Sequence, residues 1–407
     1  MAPRWAVAAV AVTERVTMKR RPPSLGALTA AALALPGLAA AQTEIQADYL
    51  YAHYREGDLP AARAASGQGS DRYEIDTHLI RLAGERDEHS LTASLLYETM
   101  SGASPWWVQP GADGQPVQVM SGASIREERI DLDATLTTPI RGAELGATLG
   151  YSHEDDYEAV NGGVEAEFTP ESGPRTYSLG LGYSYDRIDP TIGASSADVI
   201  DDADRDSVNV YAGSTWVINP QTLVQGALSF SLQDGYLSDP YKRAFLTDIA
   251  NTVRDRRPEN RRQWSLSTRL RHFVRAVGGA FHVDYRFHRD DWRIESHTLE
   301  LAWHQTLDPS LRISPSIRWY SQSQAYFYAP FYSSLRGDGL ASSDYRLSPY
   351  GALSFRLDLR KVVDDWLLGG GVEWYEASKD YALGSVKVEN PGLIDYLNVT
   401  VRLGRRF

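Results

Sequence analysis

Charged and imidazole side chains in this sequence recur at every second residue, between apolar neighbours. Arg269 and Arg271 share one phase of such an alternation, and His282, Asp284, Arg286 and His288 share another. Arg312 and Arg318, then Arg346, Arg356 and Asp358, continue the series towards the C-terminus, while Arg129, Asp131 and Asp133 stand earlier. Residues two apart lie on one face of an extended strand, so these side chains would line a common wall. The chemistry open to such a wall is electrostatic. Fixed charges of both signs orient polar solutes, and stripes of arginine favour anions. The same residues, paired with one another, would instead fill an interior as a salt-bridge lattice. The spacing is compatible with both.

Catalysis finds less support. His282, His288, His297 and His304 fall on neighbouring strands, yet no nucleophile elbow, zinc-ligand spacing or glycine-rich phosphate loop accompanies them. No catalytic residue, metal site or cofactor is therefore assigned, and no enzymatic activity is expected. Asp202, Asp204 and Asp206 have the alternate spacing of a calcium loop, within an acidic group that includes Asp198 and Asp201. Ser207 and Gly213 stand where such a loop needs glycine and glutamate, and a solvated acidic loop is the simpler reading. The next long loop is basic, with Lys242, Arg243, Arg254, Arg256, Arg257, Arg261 and Arg262.

The elements that must position these residues are strands. Phe281, Val283, Tyr285 and Phe287 interleave with the polar set at 282–288, and Tyr177, Leu179, Leu181 and Tyr183 interleave with Ser178, Gly180 and Gly182. Period two is the strand signature. Sixteen candidate strands fall near 44–55, 73–83, 88–100, 124–137, 143–153, 157–168, 175–186, 206–218, 221–234, 261–273, 279–289, 293–305, 310–323, 345–360, 365–377 and 393–407. Most reach the length a tilted strand needs to cross a bilayer, about 9–11 residues. Their connections sort by length. Short turns at 84–87, 139–142, 219–220 and 308–309 alternate with long connections near 57–71, 101–123, 187–205, 235–260, 324–344 and 378–392; those at 154–156 and 290–292 are short exceptions. Outer-membrane barrels have short periplasmic turns and longer outer loops.

The N-terminus fits export. Lys19, Arg20 and Arg21 precede an apolar run from Leu25 to Leu38, and Ala39, Ala40 and Ala41 close it. This reads as a signal peptide over 1–41, with Met18 as an alternative start and the mature chain from 42 to 407. No later apolar run reaches the roughly 20 residues of a spanning helix. There is no cysteine, so disulfides do not staple the fold. Removing residues 1–41 takes five of the 41 basic residues and one of the 53 acidic ones, leaving a net charge of −16. That balance argues against a nucleic-acid partner.

The last strand alternates strictly and ends on an aromatic: Val399, Val401, Leu403 and Phe407 share one face. This resembles the terminal signal read by the barrel-assembly machinery. Trp216, Trp264, Trp303, Trp319, Trp366 and Trp374 sit towards strand ends, as an interfacial girdle requires.

A pentapeptide occurs twice: Met100, Ser101, Gly102, Ala103 and Ser104, then Met120, Ser121, Gly122, Ala123 and Ser124. The copies bracket Pro105, Trp106 and Trp107. Small residues of this kind let two strand ends converge beneath a folded loop; a loop bent into the lumen is the alternative. The stretches 97–106 and 119–129 resemble a family of proteobacterial exported proteins described as a domain of unknown function, over nearly all of the mature chain. The family carries no activity to transfer. The resemblance implies a gene setting beside a periplasmic flavin transferase and a thioredoxin-like protein, and so an envelope redox context.

These readings converge on an all-β chain: one transmembrane, antiparallel, up-and-down β-barrel of about sixteen strands in the outer membrane. Membrane lipid, lipopolysaccharide and the barrel-assembly machinery are its expected partners. The expected function is a porin-like channel for small polar, preferentially anionic solutes. The alternative is a non-conducting barrel that scaffolds an envelope redox or export assembly with periplasmic redox proteins.

Overall fold

The structure, a computed structural model, describes residues 44–121, 125–171, 173–190, 200 and 202–407. The expected signal peptide, residues Gly122, Ala123 and Ser124 of the second pentapeptide, and Asp198 and Asp201 lie outside the described residues.

Twenty strands form in chain order: β1 (Glu44–Glu56), β2 (Glu74–Arg86), β3 (His89–Gly102), β4 (Pro105–Pro110), β5 (Pro116–Met120), β6 (Ile125–Ile140), β7 (Ala143–Glu154), β8 (Tyr157–Phe168), β9 (Arg175–Ile188), β10 (Ala203–Asn219), β11 (Thr222–Gly235), β12 (Arg243–Leu246), β13 (Asn251–Arg254), β14 (Asn260–Val274), β15 (Gly279–Asp290), β16 (Glu295–Asp308), β17 (Leu311–Gln322), β18 (Tyr350–Val363), β19 (Trp366–Ser378) and β20 (Asp395–Arg406). Sixteen of them close an antiparallel barrel in sequence order, and β4–β5 and β12–β13 are separate two-stranded sheets. β1 pairs with β20 from Gln46↔Arg406 to Glu56↔Tyr396, which seals the ring and leaves no open edge.

The alternation decides which face sees what. Along β7, Leu145, Leu149 and Tyr151 are exposed, whereas Thr148 and Ser152 on the alternate phase are buried. Leu149 is 72% exposed, and Leu179, Val164, Leu357 and Val401 point out in the same way. An apolar outside and a polar inside invert the soluble-barrel pattern and suit lipid. The last strand conforms: Val399, Val401, Leu403 and Phe407 are all exposed, and the Phe407 N–H donates to Ile45 O at 2.9 Å, on the first strand. All six tryptophans expected at strand ends lie on the outward phase.

The two ends differ. Among the described residues, one carries short connections, at 87–88, 141–142, 220–221, 275–278, 309–310 and 364–365, of which 275–278 holds one 3-10 turn. Asp87, Arg141 and Asp364 take positive φ there, as tight hairpin turns require. The other end carries the long connections, and these fold into structure of their own.

Two expectations are corrected. The strand expected from 345 begins at Tyr350. Asp344 accepts a bond from the Arg346 N–H and starts a short 3-10 turn, Tyr345–Leu347, and Pro349 follows, which supplies no ladder donor. Arg346, expected on the barrel wall, is therefore a loop residue. The calcium-like aspartates do not form a loop either: Asp204 and Asp206 lie within β10 in extended conformation.

Candidate functional site: a charged lumen beneath a loop-built closure

The inward wall is built by register. Arg271 on β14 faces His282 on β15, which stands beside Ala302 on β16, then Ser316 on β17, Arg356 on β18 and Glu373 on β19. One step towards the loop end runs Arg269, Asp284, Glu300, Arg318. Each of these positions occupies the inward phase of its strand, together with Arg286, His288, Arg312 and Asp358.

Most of these charges are paired. Arg271 meets Asp284 at 2.7 Å, and Arg269 approaches the same carboxylate at 3.6 Å. Arg318 bonds Glu300 at 2.7 Å, Arg356 bonds Asp358 at 2.7 Å, and Arg402 meets Asp48 at 3.2 Å. His288 lies 3.1 Å from Ser265 Oγ, and His282 packs against His304 with ring centroids 4.1 Å apart and the planes tilted by 54°. The pairing is unequal around the ring. Arg286 Nε is buried with no hydrogen-bond partner among the described residues, and Arg312 stands in register beside Arg360. On the opposite wall Asp131, Asp133, Glu165 and Glu167 occupy inward phases of β6 and β8, with Arg129 held by Asp131 at 2.8 Å. The wall thus carries basic character on β14–β18 and acidic character on β6–β8, which sets a field across the lumen. The side chains of Asp284 and Arg318 remain about one third exposed, at 35% and 33%, whereas those of Arg269, Arg271 and Arg356 are mostly buried.

The long connections meet above that lumen. The hairpin β4–β5 turns at Gly111–Gln115, where the Gly111 N–H donates to Gln115 O at 2.7 Å. Its base joins the two pentapeptides: the Ser121 N–H donates to Ser104 O at 2.8 Å, and the Ser104 N–H donates to Ser121 Oγ at 2.9 Å. Gly102 takes φ +124, and a Cβ there would collide with the Arg72 carbonyl of the neighbouring connection. The small residues of the first copy therefore serve close approach of strand ends. Met100 is buried with Tyr54, Tyr73 and Ile75.

From this base the hairpin reaches across. Lys242, in the β11–β14 connection, donates Nζ–H to Pro105 O at 2.8 Å. Val108, fully buried, donates its N–H to Ser343 Oγ in the β17–β18 connection at 3.3 Å. The Ala65 N–H, from the β1–β2 connection, donates to Gln118 O at 2.9 Å. Asn390, from the β19–β20 connection, donates to Ser343 O at 3.0 Å. Sixteen strands about 4.8 Å apart and tilted near 40° make a ring roughly 30 Å wide. Strands β7 to β10 lie between β6 and β11 on one side, so contacts between these connections span the mouth. A buried apolar group of Trp292, Ile294, Ala325, Phe327, Tyr328 and Leu347 gives this closure its own core. Its underside packs into the barrel, with Leu393 against Ala352 and Ala377 and beside Tyr320, Tyr345, Tyr350 and Tyr375.

At the centre is a buried ionic cluster of three acids and three bases. Arg257 bonds Asp255 at 2.7 Å and Asp344 at 2.8 Å. Arg346 bonds Asp239 at 2.6 Å and Asp344 at 2.5 Å. The Asp239 N–H donates to Asp255 Oδ2 at 2.8 Å. Burial alone would raise the Asp239 carboxyl, yet Lys242 and Arg346 overcome it and lower it to about 2. Asp344, 3% exposed, is likewise held well below the usual carboxylate range, with burial overcome by Arg346, Lys242 and Arg257. Burial pushes Asp255 up against the opposing charge of Arg257, and burial lowers Lys242 despite Asp344 and Asp239. Such a network is stable only when complete.

Sequence periodicity placed the wall residues on one phase but did not reveal the closure. Its acids and bases lie 107 positions apart in the Arg346–Asp239 pair, a separation no local pattern encodes. The one local signal was Trp107 to Gln109 and Val117 to Val119 flanking a Gly-containing turn, masked by prolines at 105, 110 and 116.

No curated protein matches the sequence. Among solved structures the chain is similar in fold to the siderophore receptor PirA from Pseudomonas aeruginosa (10% identity, 84% of this chain and 57% of that one, TM-score 0.40). It is similar also to CdiB from Acinetobacter baumannii (6%, 88% and 60%, 0.48) and to OccK3 from Pseudomonas aeruginosa (10%, 90% and 95%, 0.42). The chain spans less than two thirds of the length of PirA and of CdiB. Residues 25–398 match one family model, and the chain belongs to that family, described as a protein of unknown function, DUF3570.

Proposed function

We propose that this barrel is an outer-membrane channel of restricted conductance, which passes small polar solutes with a preference for anions and is occluded at its outer mouth by its own loops. The observation that carries the reading is the inward wall of β14–β18, on which Arg269, Arg271, Arg286, Arg312, Arg318 and Arg356 share the polar phase. Arginine stays charged at any physiological pH, and the Arg286 Nε has no hydrogen-bond partner among the described residues. Reversal potentials in a salt gradient across a planar bilayer test this. Wild type should prefer chloride. Replacing Arg286, Arg318 and Arg356 with glutamine should abolish or reverse that preference, because Glu300 and Asp358 then lose their counter-ions. Cation preference in the wild type, or no change in the variant, would show that these arginines only brace the wall.

The closure favours a second reading, a non-conducting barrel that anchors an envelope assembly with periplasmic redox proteins. Protein that inserts in bilayers yet never conducts, even with its closure cut, would select it. On either reading lipopolysaccharide surrounds the loop end, and the assembly machinery reads the outward face of Val399, Val401, Leu403 and Phe407. Deleting Phe407 should lower the yield of heat-modifiable barrel in membranes several-fold; an unchanged yield would remove that role.

A further inference from the structure

We propose that Glu127, Glu154 and Asp156 form a binding site for a hard divalent cation, calcium by its chemistry, which pins the loop closure to the barrel wall. Register brings these carboxylates together. Arg129 on β6 pairs with Glu154 on β7. Glu127 lies two residues before Arg129, and Asp156 two residues beyond Glu154, in the tight turn to β8. Residues two apart share a face, so all three acids converge on the inner rim at the loop end. One carboxylate oxygen from each lies within 4.8 Å of the other two. Calcium–oxygen bonds of 2.3–2.6 Å place neighbouring ligand oxygens about 3–5 Å apart, so one ion can reach all three.

An independent observation points to a ligand. Asp156 is only 6% exposed, yet its Oδ1 has no hydrogen-bond partner among the described residues. A buried carboxylate oxygen without a donor is costly, and a cation satisfies it. The charge count agrees. Arg129 approaches Glu154 at 3.5 Å but is shared with Asp131 at 2.8 Å. Three carboxyl groups thus face one shared guanidinium, an excess of acid over base, and all-oxygen donors suit a hard cation. Asp156 Oδ2 is occupied differently: it accepts the O–H of Tyr241, a residue of the β11–β14 connection that also supplies Asp239 and Lys242 to the buried ionic cluster. An ion on Asp156 would therefore order the wall and the closure together. This inference does not depend on whether the lumen conducts.

The test uses the full mature chain, refolded in detergent without lipopolysaccharide and stripped with chelator, titrated with calcium by calorimetry. One site should be found, with a rise in thermal stability that chelator reverses. In Glu127→Gln with Asp156→Asn the affinity should fall on the order of tenfold or more, since ligand charge sets affinity in such sites, while heat-modifiable migration confirms the barrel. Tyr241→Phe, which keeps every carboxylate, should still bind calcium. No binding by the wild type at millimolar calcium, or undiminished binding by the double variant, would overturn the site and leave the carboxyls sharing protons.

Discussion

A chain lacking residues 105–120, with β3 and β6 rejoined by a short Gly/Ser turn, should conduct several-fold more than wild type in planar bilayers. The deletion is compatible with the barrel because Gly102 and Ile125 are already register partners, so the shortened turn need span only adjacent strands. What it removes is the part of the closure that crosses the mouth. Lys242 loses Pro105, the Ser343 hydroxyl loses Val108, and Ala65 loses Gln118 as an acceptor. Replacing single side chains in the hairpin would act less, because main-chain groups make these bonds. Conductance equal to wild type, with heat-modifiable migration intact, would mean that the remaining connections close the mouth without the hairpin.

Asp344→Asn should loosen the closure without unfolding the barrel. Asp344 accepts from both Arg257 and Arg346, and its loss leaves two guanidinium groups buried against the remaining Asp239 and Asp255. Removing one partner of a buried network costs about 3–5 kcal/mol. The barrel ladders do not use this residue, so the cost falls on the loops. Trypsin should then cut near Arg256, Arg257 and Arg336 at least tenfold faster, an estimate on the order that a few kcal/mol of local opening implies, while the strands stay protected. Unchanged cleavage would contradict the cluster's role. The same cluster sets an acid limit. Asp239 and Asp344 have folded values below their unfolded ones. Their contribution is therefore fully present above the unfolded aspartate value of about 3.9 and is lost as pH falls towards about 2. Loop cleavage by an acid protease should rise across that window as pH falls, against an opposing contribution from Asp255, whose carboxyl burial pushes up.

The barrel was legible from sequence because strand alternation is local: each residue between Phe281 and His288 announces its face through its neighbours two away. Loop sorting by length gave the two ends for the same reason. Arg346 was misplaced because Tyr345 and Leu347 on either side of it imitate the alternation, while the event that breaks it, capture of Arg346 by Asp344 and Asp239, includes a partner far away in the chain. The carboxylates Glu127, Glu154 and Asp156 were hidden in the same way. Singly each reads as a polar residue at a strand end, and only the β6–β7 register brings them within one ion's reach. The three-against-three charge balance of the closure likewise cannot be seen until Lys242 and Arg257 are known to lie over Asp344.

We expect the charged lumen to be closed at the loop end and open to small solutes at the turn end. The chain has no cysteine, so one can be introduced cleanly at Ser316, an inward, half-buried position midway along β17. In proteoliposomes of one orientation, a small charged thiol reagent supplied to the turn side should label Ser316→Cys rapidly. The same reagent supplied to the loop side should label it at least tenfold more slowly, and the added Asp344→Asn change should erase that difference. Equal rates from both sides in the otherwise wild-type chain would contradict the account.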